Sequence, residues 1–173
     1  MESRIIQILL YKKEIFYDIN TITYKRVDAS MQDENLKTKN AIQSDETETL
    51  DGSILKRLTQ RRDARIRKRL MSCLSSKPAK GASNIPIEDD AFEYNLNLTS
   101  DFTEDKQTVL VSLMHDYIVR GSIYDWYYQC GMTNTPDSPE LDDLESDIVD
   151  IIKQSSRRKP MQPFGPAEPI TAR

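Results

Sequence analysis

Glycine is scarce in this sequence, five in 173 residues and none clustered, which leaves no glycine-rich loop able to cradle a phosphate. Histidine occurs once, as His115 between Met114 and Asp116. With no second histidine or nearby cysteine to complete a metal site, it reads as a partly exposed structural residue. The two cysteines, Cys73 and Cys130, have neither pairing nor ligand spacing, which fits a reducing compartment or buried thiols rather than catalysis. The acidic run at 140–150 lacks the glycine and spacing of a calcium loop. No catalytic, metal-binding or cofactor-binding residue is therefore expected, and no cofactor. Long apolar runs are missing too: nothing approaches the ~20 residues that span a bilayer, and no membrane partner is expected. The stretch 5–11 is interrupted by Gln7 and followed by Lys12-Lys13-Glu14 without a small-residue cleavage site, so no signal peptide is expected.

Apolar residues are themselves in short supply. They make up 38%, or roughly 36% when glycine replaces tyrosine in the count, against about 45–50% in ordinary domains. One domain with a real core fits this length, with a sizeable part of the chain outside it. Charged residues reach 30%, yet the net charge is only −4, so no global bias toward polyanions exists.

What is present centres on residues 103–130. Leu110, Leu113, Met114, Tyr117, Tyr124, Tyr127 and Tyr128 recur there at three- and four-residue steps, the mark of a helix with one buried stripe. The window also holds Trp126, the only tryptophan. Leu110, Leu113, Met114, Tyr117, Tyr124, Trp126 and Tyr127 are the expected core. Asp101 or Thr103 serves as cap, with Glu104 and Asp105 in the first turn. Gly121 beside Ser122 predicts a break or kink between helices 104–119 and 122–130, and Gly131 is the expected stop.

Ahead of this core, residues 2–27 place Ile5, Ile8, Leu9, Ile15, Phe16, Ile19 and Ile22 at helical spacing. A helix is expected there, with a strand as the alternative for 17–27, where β-branched and aromatic residues gather. Residues 28–51 are a polar linker or weak helix. Residues 53–75 form an amphipathic helix, capped by Asp51 or Ser53, with Ile54, Leu55, Leu58, Ile66, Leu70 and Leu74 inward. Residues 76–91 read as a loop. Phe92, Tyr94, Leu96 and Leu98 alternate with polar residues, predicting one half-buried strand over 92–99. Its partner is either 17–27 or another copy of the chain, since an unpaired strand leaves backbone groups unsatisfied. Residues 139–153 form a last helix, opened by Ser138-Pro139-Glu140. The fold class is mainly α: a small helical bundle over 1–154, one short strand segment, and an extended C-terminal arm over 155–173.

Two helices carry opposite charge. The helix 53–75 sets eight cations against Asp63, and 139–153 sets six acids against Lys153. Arg61, Arg62, Arg65 and Arg69 on one, and Asp142, Asp143 and Asp147 on the other, are candidates for subunit contact or for facing DNA. They either neutralise each other within one chain or join copies head to tail. Taken alone, the arginines also suit a small nucleic-acid-binding regulator, although no stacking aromatics or recognised motif frames them. The arm has four of the eight prolines, which excludes a helix or central strand. It is either a disordered end or an anchor, with Arg157, Arg158 and Lys159 for a rim and Met161 and Phe164, set among Pro160 and Pro163, for pockets.

The segment LTSDFTEDKQTVLVSLMHDYIVRGSIYDWY, with Leu98-Thr99, Glu104-Asp105, Leu110, Leu113, Tyr117-Ile118 and Trp126, resembles the head–tail connector (adaptor) proteins of tailed bacteriophages. An acidic start leads there into a helix of form LxxLxxxYI and a second, aromatic helix. The Asn, Ile, Lys and Tyr usage is similar to ring proteins of crAss-like phages. The linker 28–51 and the strand 92–99 depart from the simplest helical members. The resemblance implies a structural, non-enzymatic protein of the virion, assembled in the host cytoplasm and placed at the head–tail junction. Its implied partners are further copies in a ring, commonly twelve, the capsid portal, other ring or tail proteins, and DNA passing non-specifically through the channel. The arm would then embrace the portal through Arg157, Arg158, Lys159, Pro160, Met161, Pro163 and Phe164.

Overall fold

The computed structural model describes residues 3–30, 50–77, 91–129 and 138–156. Among them, two strands and four helices follow in the order β1 (Ser3–Tyr11), α1 (Lys12–Ser30), α2 (Leu50–Leu70), β2 (Ala91–Thr99), α3 (Glu104–Gln129) and α4 (Ser138–Ser156). The chain is mainly helical, a small bundle carrying a two-stranded antiparallel sheet.

The sheet corrects the reading of residues 2–27 as a helix. Their first part is β1, paired with β2 from Ser3 opposite Thr99 to Tyr11 opposite Ala91. Ile5, Ile8 and Leu9 match a helical period, but Ile6, Ile8 and Leu10 match a period of two, and those three are the buried ones. Ile5, Ile6 and Ile8 are β-branched, and pairing with β2 satisfies the backbone of both. The partner of the strand is thus neither 17–27, which is helical, nor a second copy. After Leu70 a turn brings Leu74 against Leu96 on the other side of β2. Ser75 N–H donates to Asn95 O and Asn97 N–H donates to Cys73 O, each at 2.7 Å.

α3 is the central element, packed by α1, α2 and α4. Thr103 is its cap: Lys106 N–H donates to Thr103 Oγ1 at 3.4 Å, and Gln107 N–H to Thr103 O at 3.1 Å. Of the break or kink expected at Gly121, the break is absent: one helix runs from Glu104 to Gln129. Gly121 instead gives room to α2, because a Cβ there would stand 2.7 Å from both Cδ and Nε of Arg62. Leu110, Met114, Tyr117, Trp126 and Tyr127 are buried as expected, and Leu113 and Tyr124 are half-buried against them. Tyr128 falls outside the stripe, 69% exposed, and stacks on Tyr124 with ring centroids 6.5 Å apart. The buried stripes of α2 (Leu55, Leu58, Ile66, Leu70) and α4 (Leu141, Ile148, Ile152), with Ile15 and Ile19 of α1, close the core over the inner face of the sheet. Thr99 Oγ1 donates to Ser155 O and ties the end of α4 to β2.

Candidate functional site

The charged faces of α2 and α4 are where the sequence placed its candidate contacts, and the structure sorts them into three groups. Arg62 is buried, so it is neither a subunit contact nor a residue facing DNA. Its Nε donates to Asp125 Oδ2 at 2.9 Å and its Nη2 to Oδ1 at 2.6 Å, a two-pronged grip on α3. The guanidinium also lies 5.8 Å from the centre of the Tyr117 ring. Burial works against its charge, but the hydrogen bonds and charge of Asp125 outweigh that and raise its pKa. The helical period explains the burial: Leu55, Leu58, Arg62, Ile66 and Leu70 lie on one face, three and four residues apart.

Arg65 and Arg69 form the second group. Both meet Glu145 of α4, Arg65 Nε at 3.1 Å from Oε2 and Arg69 Nε at Oε1. Tyr117 O–H donates to the same carboxylate at 3.1 Å. Burial favours the neutral acid, yet the hydrogen bonds from Arg69 and Tyr117 and the charges of Arg65 and Arg69 hold the Glu145 carboxyl below its ordinary range. Basic and acidic helices therefore do neutralise each other within one chain, at this point. A parallel contact fixes α2 to the sheet. Tyr94 O–H donates to Asp63 Oδ1 at 2.5 Å, and Arg67 Nε donates to Asp63 Oδ2 at 2.8 Å. Arg67 Nη2 also reaches Glu93 O at 2.9 Å, with its guanidinium 4.6 Å from the centre of the Tyr94 ring. Burial, then the charge of Asp63 and the bond to it, push the Tyr94 phenol far above its ordinary pKa.

Arg61, Asp142, Asp143 and Asp147 make the third group. All four are exposed, and no hydrogen bond or ion pair holds them among the described residues. Lys56, Arg57 and Lys68 are exposed beside Arg61.

Sequence reasoning missed Asp63, Asp125 and Glu145. Glu145 had a signal: it stands four residues after Leu141 and three before Ile148, inside the apolar stripe of α4. Asp125 likewise lies four residues beyond Gly121 and eight beyond Tyr117. Asp63 is the one acid among the cations that run from Lys56 to Arg69.

Elsewhere the described residues offer no group of three or more His, Cys, Asp or Glu side chains that could hold a metal ion. His115 Nε2 lies 3.6 Å from Asp18 Oδ2, and Cys73 is half-buried. No described helix is long and apolar enough to cross a membrane. Arg157, Arg158, Lys159, Pro160, Met161, Pro163 and Phe164, and with them the arm, lie outside the described residues, as do Cys130 and Gly131. No protein-family model matches this chain, and neither the curated proteins nor the solved structures contain a match to it.

Proposed function

We propose that the chain is a structural virion protein: a head–tail connector that forms a ring beneath the capsid portal, with a channel for DNA, and binds the portal through its C-terminal arm. The observation that carries the reading is the pattern beyond Ser156. Pro160, Pro163, Pro166 and Pro169 recur at every third residue, the repeat of a polyproline II helix. In that conformation Met161, Phe164, Ala167 and Ile170 would share one ridge. A ridge of this kind needs a groove on another protein, since a lone extended chain buries little of itself.

The folded part is compatible with the reading without carrying it. α2, α3 and α4 with the sheet make a closed body whose last helix is tied down at Ser155, so an arm leaving after Ser156 starts from a fixed point. The paired strand no longer argues for neighbouring copies. The nucleic-acid-binding reading loses ground too, because Arg62, Arg65 and Arg69 are engaged within the chain.

Deletion of 157–173 tests the proposal. The truncated body should keep its helical circular dichroism and its unfolding midpoint, yet fail to attach to portal-bearing capsids. Undiminished attachment by the truncated chain would overturn the arm assignment.

A further inference from the structure

From Lys56 to Arg69 the exposed charged residues of α2 are all positive, and from Glu140 to Lys153 those of α4 are all negative but the last. Arg57, Arg61, Arg65 and Arg69 succeed one another at four-residue steps, a spacing at which like charges repel along a helix. Glu145 relieves the last two. Arg57 and Arg61, with Lys68 on the same face, have no acidic partner among the described residues. On α4, Asp143 and Asp147 repeat the four-residue step, both exposed and equally without a cation. Asp150 continues that face and meets only Lys153, at 3.9 Å. Helices that simply face water usually mix the two signs, as ion pairs one turn apart. Here the signs are segregated onto separate helices, and each helix bears repulsion that a facing stripe of opposite sign would remove.

We infer that the outer stripe of α2, Arg57, Arg61 and Lys68, docks on the outer stripe of α4, Asp143 and Asp147, in a second copy of this chain. The occupant follows from charge and spacing. Arg57 to Arg61 and Asp143 to Asp147 are equal steps, about 6 Å along either helix axis, so these two cations and two acids match pair for pair, with Lys68 a further cation on the same face. A polyanion is the weaker occupant: the chain is net negative, and that face of α2 presents no aromatic ring on which a base could stack. Because the contact joins two different surfaces, each copy brings a stripe of both signs. The inference deepens the ring reading by naming the surfaces through which copies would meet.

Charge reversal tests it on the full chain. Wild type at low salt should sediment as multiples of 20.0 kDa, and its self-affinity should fall roughly tenfold or more as salt is raised to about 0.5 M. Arg57→Glu with Arg61→Glu and Lys68→Glu should sediment as a single chain, and so should Asp143→Lys with Asp147→Lys. Mixing the two variants in equal amounts should restore association, since each then offers what the other lacks. All five side chains are exposed and without described partners, so circular dichroism should match wild type; milder Gln and Asn versions of the same sets serve if it does not. The inference is overturned if wild type remains a single chain at low salt, if either variant associates as wild type does, or if the mixture stays dissociated. Wild type that is monomeric but binds duplex DNA through this stripe would overturn it in favour of a nucleic acid. Normal rings from reversed stripes would sink this contact while leaving the connector reading intact, whereas portal attachment without 157–173 would do the opposite.

Discussion

Arg62 of α2 reaches across to Asp125 of α3 and holds both oxygens of its carboxylate, with only 8% of the arginine side chain and 15% of the aspartate exposed. It runs alongside Gly121, whose missing side chain makes the space. The two longest described helices are thus joined by a charge pair that passes through the core rather than around it.

Breaking that pair should be expensive. Arg62→Ala leaves Asp125 charged and largely shielded from water, and is expected to destabilise the fold by about 3–5 kcal/mol, read as a lower urea midpoint. Replacing both partners together, Arg62→Met with Asp125→Leu, should come within about 1 kcal/mol of wild type or exceed it. Equal losses in the single and double variants would show that the pair is not isolated from solvent.

Gly121→Ala sets helix propensity against packing. Alanine is favoured in mid-helix by about 1 kcal/mol, but its methyl would meet the shaft of Arg62 at 2.7 Å. Asp125 prevents that shaft from swinging aside. A net loss of about 1–2 kcal/mol is expected. In an Arg62→Ala background the same change should become stabilising, a coupling that a double-mutant cycle measures directly.

Tyr94→Phe removes one hydrogen bond and leaves Asp63 short of a donor. The expected cost is about 1–3 kcal/mol. Asp63→Ala should cost more, because it strips a partner from Arg67 as well as from Tyr94. Thermal unfolding of the three proteins orders them.

Glu145 makes stability depend on pH in acid. Its carboxyl ionises lower in the folded protein than in the unfolded chain, where the ordinary value is about 4.3. The folded state therefore binds fewer protons near that value. The contribution is complete above it and drains away as pH falls through it toward the folded pKa. Glu145→Gln should lose about 2 kcal/mol at neutral pH, and its stability should decline less steeply than that of wild type between about pH 5 and pH 3. Urea unfolding at several pH values checks both.

Much of the fold was legible along the chain. α3 declared itself through Leu110, Met114 and Tyr117, and α2 and α4 through stripes of leucine and isoleucine at three- and four-residue steps. β2 was readable because Phe92, Tyr94, Leu96 and Leu98 alternate without interruption. β1 was not, since Ile5, Ile6, Ile8, Leu9 and Leu10 satisfy two periods at once, and Gln7 alone among them is too little polar contrast to choose between the two. Gly121 misled for a related reason: a glycine in a helix announces either a bend or a close neighbour, and the neighbour is fifty-nine positions away in sequence.

The residue pattern by itself determined which faces of α2, α3 and α4 are apolar, where α3 and α4 begin, and that one helix is basic and another acidic, because these properties belong to neighbours a turn or a pleat apart. Only the tertiary structure decided which charges are used up inside. Arg61 and Arg62 are adjacent in sequence and of one chemistry, yet one step of rotation about the helix axis points Arg62 at Asp125 and Arg61 at water. Which side of that step meets a carboxylate depends on how α2 lies against α3 and α4, and that placement is set by packing among distant segments.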